Sequence, residues 1–162
     1  LVYICSNPGE RSLIVCPTSL AYNWQEEFEK FAPGIQTCIV SGSPAERKEM
    51  LEDTSDQYDV WITTYPLIRK DAELYRDLHF DSMFIDEAQF IKNPSSLGAK
   101  AVKAVPASHR FALTGTPIEN KLSELGLFLN LLCRDFSPDT VNLQISMNDQ
   151  FSGIGMKSGC GN

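Results

Sequence analysis

The sequence has no run of apolar residues long enough to span a membrane, no pair of cysteines at metal-ligand spacing, and only two histidines. Each shortage excludes something. Without an apolar run of about twenty residues no transmembrane helix is expected. The five cysteines, Cys5, Cys16, Cys38, Cys133 and Cys160, are scattered and odd in number. That pattern is neither a disulfide framework nor a zinc site. It fits a reducing compartment, cytoplasmic or nuclear. Basic residues are also short: 14 Lys and Arg face 21 Asp and Glu, for a net charge of −7. A broad phosphate-binding face is therefore not expected, because such contacts draw on Lys and Arg, but a local contact strip remains open. The opening LVYICSNPGER lacks a basic leader and a cleavage signal, so no signal peptide is read. It also lacks an initiating Met and begins in mid-pattern, as a fragment does.

What is present is a soluble globular composition, 43% apolar and 22% charged over 162 residues. Apolar strand-like runs alternate with amphipathic helix-like runs. SLIVCP (12–17), TCIVSG (37–42), YDVWITTY (58–65), FDSMFIDEA (80–88) and HRFALTGT (109–116) read as strands. Between them, TSLAYNWQEEFEKF places Leu20, Trp24, Phe28 and Phe31 at helical spacing, with Thr18 or Ser19 as N-cap. SPAERKEMLED is a short polar helix with Ser43 as cap and Pro44 at its first position. PLIRKDAELYRDL, SSLGAKAVKAV and NKLSELGLFLNLL complete the helices. Nearly all-apolar strands separated by helices predict an α/β fold: a parallel sheet with helices on both faces. From about Ser137 the chain is polar and rich in Gly, Ser and Asn, and residues 137–162 are expected to form an irregular or disordered tail.

Ligands of an open parallel sheet bind beyond the carboxyl ends of the strands. Four polar clusters fall at that edge: Pro17-Thr18-Ser19, Thr63-Thr64-Tyr65, Asp86-Glu87-Ala88-Gln89 and Thr114-Gly115-Thr116-Pro117. Two adjacent acids after a buried strand are costly to desolvate without partners. Asp86 on a magnesium ion and Glu87 polarising an attacking water would supply them, as phosphoryl transfer requires. A solvated loop is the plainer reading of any isolated Asp-Glu pair. Trp24 and Phe28 read as helix core, and His79 and His109 as surface.

DEAQ at 86–89, followed by FIKNPSS and then by ALTGTPIENKLSEL at 112–125, resembles the Swi/Snf family of DNA-dependent ATPases, within the second helicase superfamily. LIVCPTSLAYNWQEEFEKF (13–31) is similar to the family's motif Ia region, and ITTYPLIRKD (62–71) to the region around motif Ib. The resemblance covers roughly residues 12–132. It implies a fragment of the first RecA-like lobe, a P-loop NTPase fold incomplete at its N-terminus, over residues 1–136. It further implies that Asp86 holds Mg²⁺, that Glu87 is the catalytic carboxylate, and that Gln89 couples the nucleotide site to motif III. Gln89 stands where many relatives have His, which makes that link insensitive to protonation near neutral pH. Thr114, Gly115 and Thr116 match motif III. Pro17, Thr18, Thr63 and Thr64 match positions that track one DNA strand through its phosphates.

The resemblance thus implies ATP and Mg²⁺ as cofactors in an intact parent, and double-stranded DNA, a second RecA-like lobe and DNA-bound proteins as partners. No membrane is involved, and the location is cytoplasmic (at the bacterial nucleoid) or nuclear. The expected function is part of an ATP-dependent duplex translocase of the chromatin-remodelling type. No GxxxxGK[ST] run is present to hold the β- and γ-phosphates, so hydrolysis by this chain alone is not expected. Two alternatives stand beside it: a non-catalytic DNA- or protein-binding fragment, and a lobe of another superfamily member.

Overall fold

A computed structural model describes residues 1–52 and 57–115 of the chain. Five strands form one sheet: β1 (Ser12–Cys16), β2 (Thr37–Ile39), β3 (Val60–Thr64), β4 (Phe80–Ile85) and β5 (Ala107–Ala112). Every pairing is parallel, in the order β2-β3-β1-β4-β5. The helices are α1 (Val2–Ser6), α2 (Ala21–Phe31), α3 (Pro44–Glu52), α4 (Tyr65–Lys70), α5 (Ala72–Arg76) and α6 (Leu97–Ala104). None among the described residues is long and apolar enough to cross a membrane. The expected helix NKLSELGLFLNLL, the domain boundary at 136 and the tail lie outside the described residues.

β1 is central, and all five of its residues are buried. Alternation along a strand sends them to opposite faces. Leu13 and Val15 join a core with Leu51, Ile68, Tyr75, Ala99 and Val102 from α3 to α6. Ile14 and Cys16 join a second core with Ile4 of α1 and with Ala21 and Phe28 of α2. The sheet is therefore covered on both faces, as its run-on apolar strands predict. β2 and β5 are the edges: among the described residues each pairs with one strand only.

Three local readings need correction. The segment before α2 is not capped by Thr18 or Ser19. Residues Thr18–Leu20 form a 3₁₀ turn closed by Leu20 N–H on Pro17 C=O at 2.9 Å, and Leu20 is the N-cap. Phe31 is not core; it is 61% exposed with Lys30 Nζ 4.7 Å from its ring centre, and Ala32 is buried instead. The helix expected after β3 breaks in two at Asp71. There Asp71 accepts from Arg47 Nε at 2.6 Å and from Nη2 at 2.7 Å, so a buried ion pair ties α3 to the α4–α5 junction. The Ser43 cap is as expected: Ser43 Oγ accepts from Glu46 N–H and the Glu46 carboxylate accepts from Ser43 N–H, a reciprocal capping box.

Cys16 has no solvent exposure, and burial, reinforced by the charge of Asp86, pushes its thiol up to about 12. A thiol raised in this way favours the protonated folded state. Its contribution is complete below about pH 9 and is lost as pH rises towards 12. Burial raises the Tyr65 and Tyr75 phenols in the same sense. The melting temperature is therefore expected to fall above about pH 9. Peptide mapping after brief iodoacetamide treatment at pH 8 should find the exposed Cys5 alkylated and Cys16 unmodified until denaturant is added. Equal labelling of the two would contradict the buried placement.

Candidate active site at the strand ends

The carboxyl ends of β1, β3, β4 and β5 converge on one rim, and the residues following them are held together by backbone hydrogen bonds. Asp86 N–H donates to Val15 C=O (2.8 Å), Leu113 N–H to Ile85 C=O (2.8 Å), and Ala88 N–H to Leu113 C=O (2.9 Å). The acid loop is thus laced to β1 on one side and to the end of β5 on the other. A one-turn 3₁₀ helix, Ala88–Ile91, anchors the loop by burying Ala88 and Ile91.

Asp86 is half-buried at the end of β4. Its Oδ1 accepts from Glu87 N–H at 2.9 Å and its Oδ2 from Trp24 Nε1–H at 2.8 Å. Burial raises the pKa of the Asp86 carboxyl; the two hydrogen bonds pull it down, and the neighbouring Glu87 charge adds to the rise. Tyr65 donates its hydroxyl to Asp86 C=O at 2.6 Å. Glu87 has φ +51°, the sole non-glycine positive φ among the described residues. A glutamate in the left-handed region is uncommon and marks strain that the surroundings hold in place. That turn aims Glu87 away from the strand direction and towards Gln89.

Gln89 lies between the two halves of the site. Its Nε2 donates to Glu87 Oε2, and its Oε1 accepts from Thr114 Oγ1 at 2.9 Å. An amide supplies a donor and an acceptor at once and does not ionise near neutral pH. Gly115 is alongside: a Cβ on it would lie 3.9 Å from Glu87 Oε1. Asp86, Glu87, Gln89, Thr114 and Gly115 are therefore one cluster, whereas Thr116 lies outside the described residues.

The four residues assigned to strand tracking divide. Pro17 and Thr18 line a cavity of about 330 Å³ shared with Tyr65, Arg69, Phe90 and Ser96. Phe90, 65% exposed, stacks on Tyr65 with ring centres 5.8 Å apart and planes at 10°. Thr64 is buried at the end of β3. Thr63 has no exposure at all, and its Oγ1 accepts from Tyr75 O–H at 2.9 Å. Its hydroxyl faces the core that includes Trp61, not the rim, so a phosphate contact by Thr63 does not follow from its position. Period-two alternation counted from Trp61 was the available signal.

Trp24 and Arg69 border the candidate site although the sequence reading did not place them there. Trp24 is separated from Asp86 by 62 positions, and nothing local announces that pairing. The TTY cluster marked Tyr65 as rim, but not as a donor to the acid loop.

Among the described residues no group of three or more His, Cys, Asp or Glu forms a metal cage. Asp86 still suits magnesium, which can take a single carboxylate and complete its octahedron with water and phosphate oxygens.

Comparison with known proteins supplies the family. Residues 2–142 match the SNF2-related domain. The yeast TATA-binding protein-associated factor MOT1 (Saccharomyces cerevisiae) is 38% identical over 77% of this chain and 7% of its own length. Mouse (Mus musculus) chromodomain-helicase-DNA-binding protein 1-like is 35% identical over 87% of the chain and 17% of its own length. An uncharacterized ATP-dependent helicase of Mycoplasma pneumoniae is 39% identical over 92% of the chain and 14% of its own length. This chain therefore spans only a small part of the curated relatives it matches. Among solved structures, the Sulfolobus solfataricus SWI2/SNF2 ATPase core in complex with dsDNA superposes with TM-score 0.68 and 35% identity, over 81% of this chain and 26% of that one. The five-stranded parallel sheet is thus the RecA-like fold of that core, and the chain belongs to the SNF2-related family of helicase-like ATPase domains.

Proposed function

We propose that this chain supplies the water-activating and metal-holding half of the ATP site in a DNA-dependent ATPase that moves along duplex DNA. The observation that carries this reading is the chain of side-chain contacts Glu87–Gln89–Thr114, with Asp86 next to it at the same strand end. When bound, Mg²⁺–ATP supplies the phosphoryl group and the charge that the transition state spreads over its oxygens. Asp86 would hold the metal. Glu87, turned outward by its left-handed backbone, would orient a water and accept its proton. Gln89 would fix Glu87 and pass any displacement of Thr114 on to it. The contacts to the β- and γ-phosphates and the charge-neutralising groups of a second lobe would be supplied by other parts of an intact ATPase.

The second reading is a non-catalytic binding module. Both readings place duplex DNA at the cavity by Pro17 and Thr18. There the backbone, the Thr18 and Ser96 hydroxyls and the Arg69 guanidinium can meet phosphates without reading bases. This local strip suits a domain of net charge −7 better than a broad basic face.

Duplex binding measured by fluorescence anisotropy across a salt series tests the placement. Arg69→Glu is expected to weaken binding equally for unrelated sequences and to reduce the slope of log K against log salt by about 1. Binding with unchanged slope would put DNA elsewhere. Turnover then separates the readings, as argued below for Glu87.

A further inference from the structure

We infer that Trp24 is a positioning residue for the Asp86 carboxylate, acting through its indole N–H. The inference rests on the reading of Asp86 as the metal-holding acid. Four contacts fix Asp86, and three of them are its N–H to Val15 C=O, its C=O from Tyr65 O–H of α4, and its Oδ1 from Glu87 N–H. The fourth is Trp24 Nε1–H to Oδ2 at 2.8 Å. Among the described residues it is the one side-chain donor to that carboxylate.

The chemistry of the indole suits this task. It donates and never accepts, so it recognises an acid oxygen and offers nothing to a competing donor. The ring is also rigid and anchored. Trp24 sits on α2 against Phe28, ring centres 6.3 Å apart, and Phe28 is buried in the core beneath the sheet. The Glu87 N–H on Oδ1 alone leaves the carboxylate able to swing about that single contact. With Oδ2 held, the remaining lone pairs of Asp86 keep one direction. A helix on one face of the sheet thus orients an acid whose loop packs over the other face. α2 also starts directly after the Pro17–Leu20 turn, whose Pro17 and Thr18 border the cavity described above.

The test uses the intact protein with ADP present and Mn²⁺ as the probe metal, free Mn²⁺ being read by electron paramagnetic resonance. Asp86→Ala should abolish the tight Mn²⁺ site. Trp24→Phe should weaken it by about ten-fold or more, the usual range for loss of a hydrogen bond to a metal ligand, while the melting temperature stays near that of the parent. Should the phenylalanine variant fail to fold, Trp24 is replaced by its benzothiophene analogue, which keeps the ring and removes only the N–H. The same weakening is expected. Parental Mn²⁺ affinity in a folded Trp24 variant, with Asp86→Ala still impaired, overturns the positioning role alone. Parental affinity in Asp86→Ala overturns both that role and the metal assignment beneath it.

Discussion

Glu87→Gln in the intact ATPase is expected to lower DNA-stimulated turnover by about 10²–10⁴-fold, the range a positioned general base supplies, while nucleotide and duplex binding persist. The substitution isolates one function. Glutamine keeps the length and shape of the side chain, and its amide oxygen can still accept from Gln89 Nε2, the contact that Glu87 Oε2 now receives. What it loses is the capacity to take a proton from water. The left-handed backbone at residue 87 is set by the loop, through Ala88 N–H on Leu113 C=O, and needs no charge to persist. Steady-state phosphate release measures the loss, and nucleotide affinity measured in parallel shows that the site survives. Turnover equal to that of the parent would remove Glu87 from the chemistry. An intact protein with no turnover before substitution would favour the binding-module reading.

The three inner strands, β3, β1 and β4, were legible because each is a short, largely apolar run buried on both faces. SLIVC and VWITT bury every residue, as strands of a parallel sheet covered on both faces do. The acid cluster was legible for a related reason: it occupies strand ends, and strand ends of a parallel sheet share one rim. Contacts between distant positions were not legible. Helical spacing counted Phe31 as core, yet Phe31 is the last residue of α2, where Lys30 lies over its ring and Ala32 takes the buried position. Trp24 read as packing alone because its partner is 62 positions away. Thr63 was assigned to strand tracking together with Thr64 by resemblance, although alternation sends the two to opposite faces of the sheet, and on its face Thr63 is held by Tyr75. Periodicity reports which face a side chain takes. It does not report which polar group waits on that face.

The buried pair Arg47–Asp71 shows the same limit and leads to the second large effect. In sequence the helix after β3 reads as continuous, and Asp71 is one charge among several. In the fold the side chains of Arg47 and Asp71 are 2% and 6% exposed and joined by two hydrogen bonds, and Arg47 Nη1 also donates to Gly42 C=O. Asp71→Ala leaves the guanidinium without its counter-charge in a dry site, and removing one partner is far more harmful than never having the pair. The expected result is a fall in melting temperature on the order of 10 °C or more. The double variant Arg47→Met, Asp71→Leu should recover most of it, because apolar side chains of similar volume avoid desolvation altogether. The functional consequence is separable. Asp71 fixes the junction of α4 and α5, α4 carries Tyr65, and Tyr65 holds the Asp86 carbonyl. If the pair serves stability alone, the recovered double variant also recovers turnover in the intact protein. If it sets the angle of α4, stability returns while turnover stays low, and the fault is visible as weaker Mn²⁺ binding at Asp86. A single Asp71→Ala variant with parental melting temperature would mean that water reaches the pair and that the core between α3 and α5 is looser than its packing indicates.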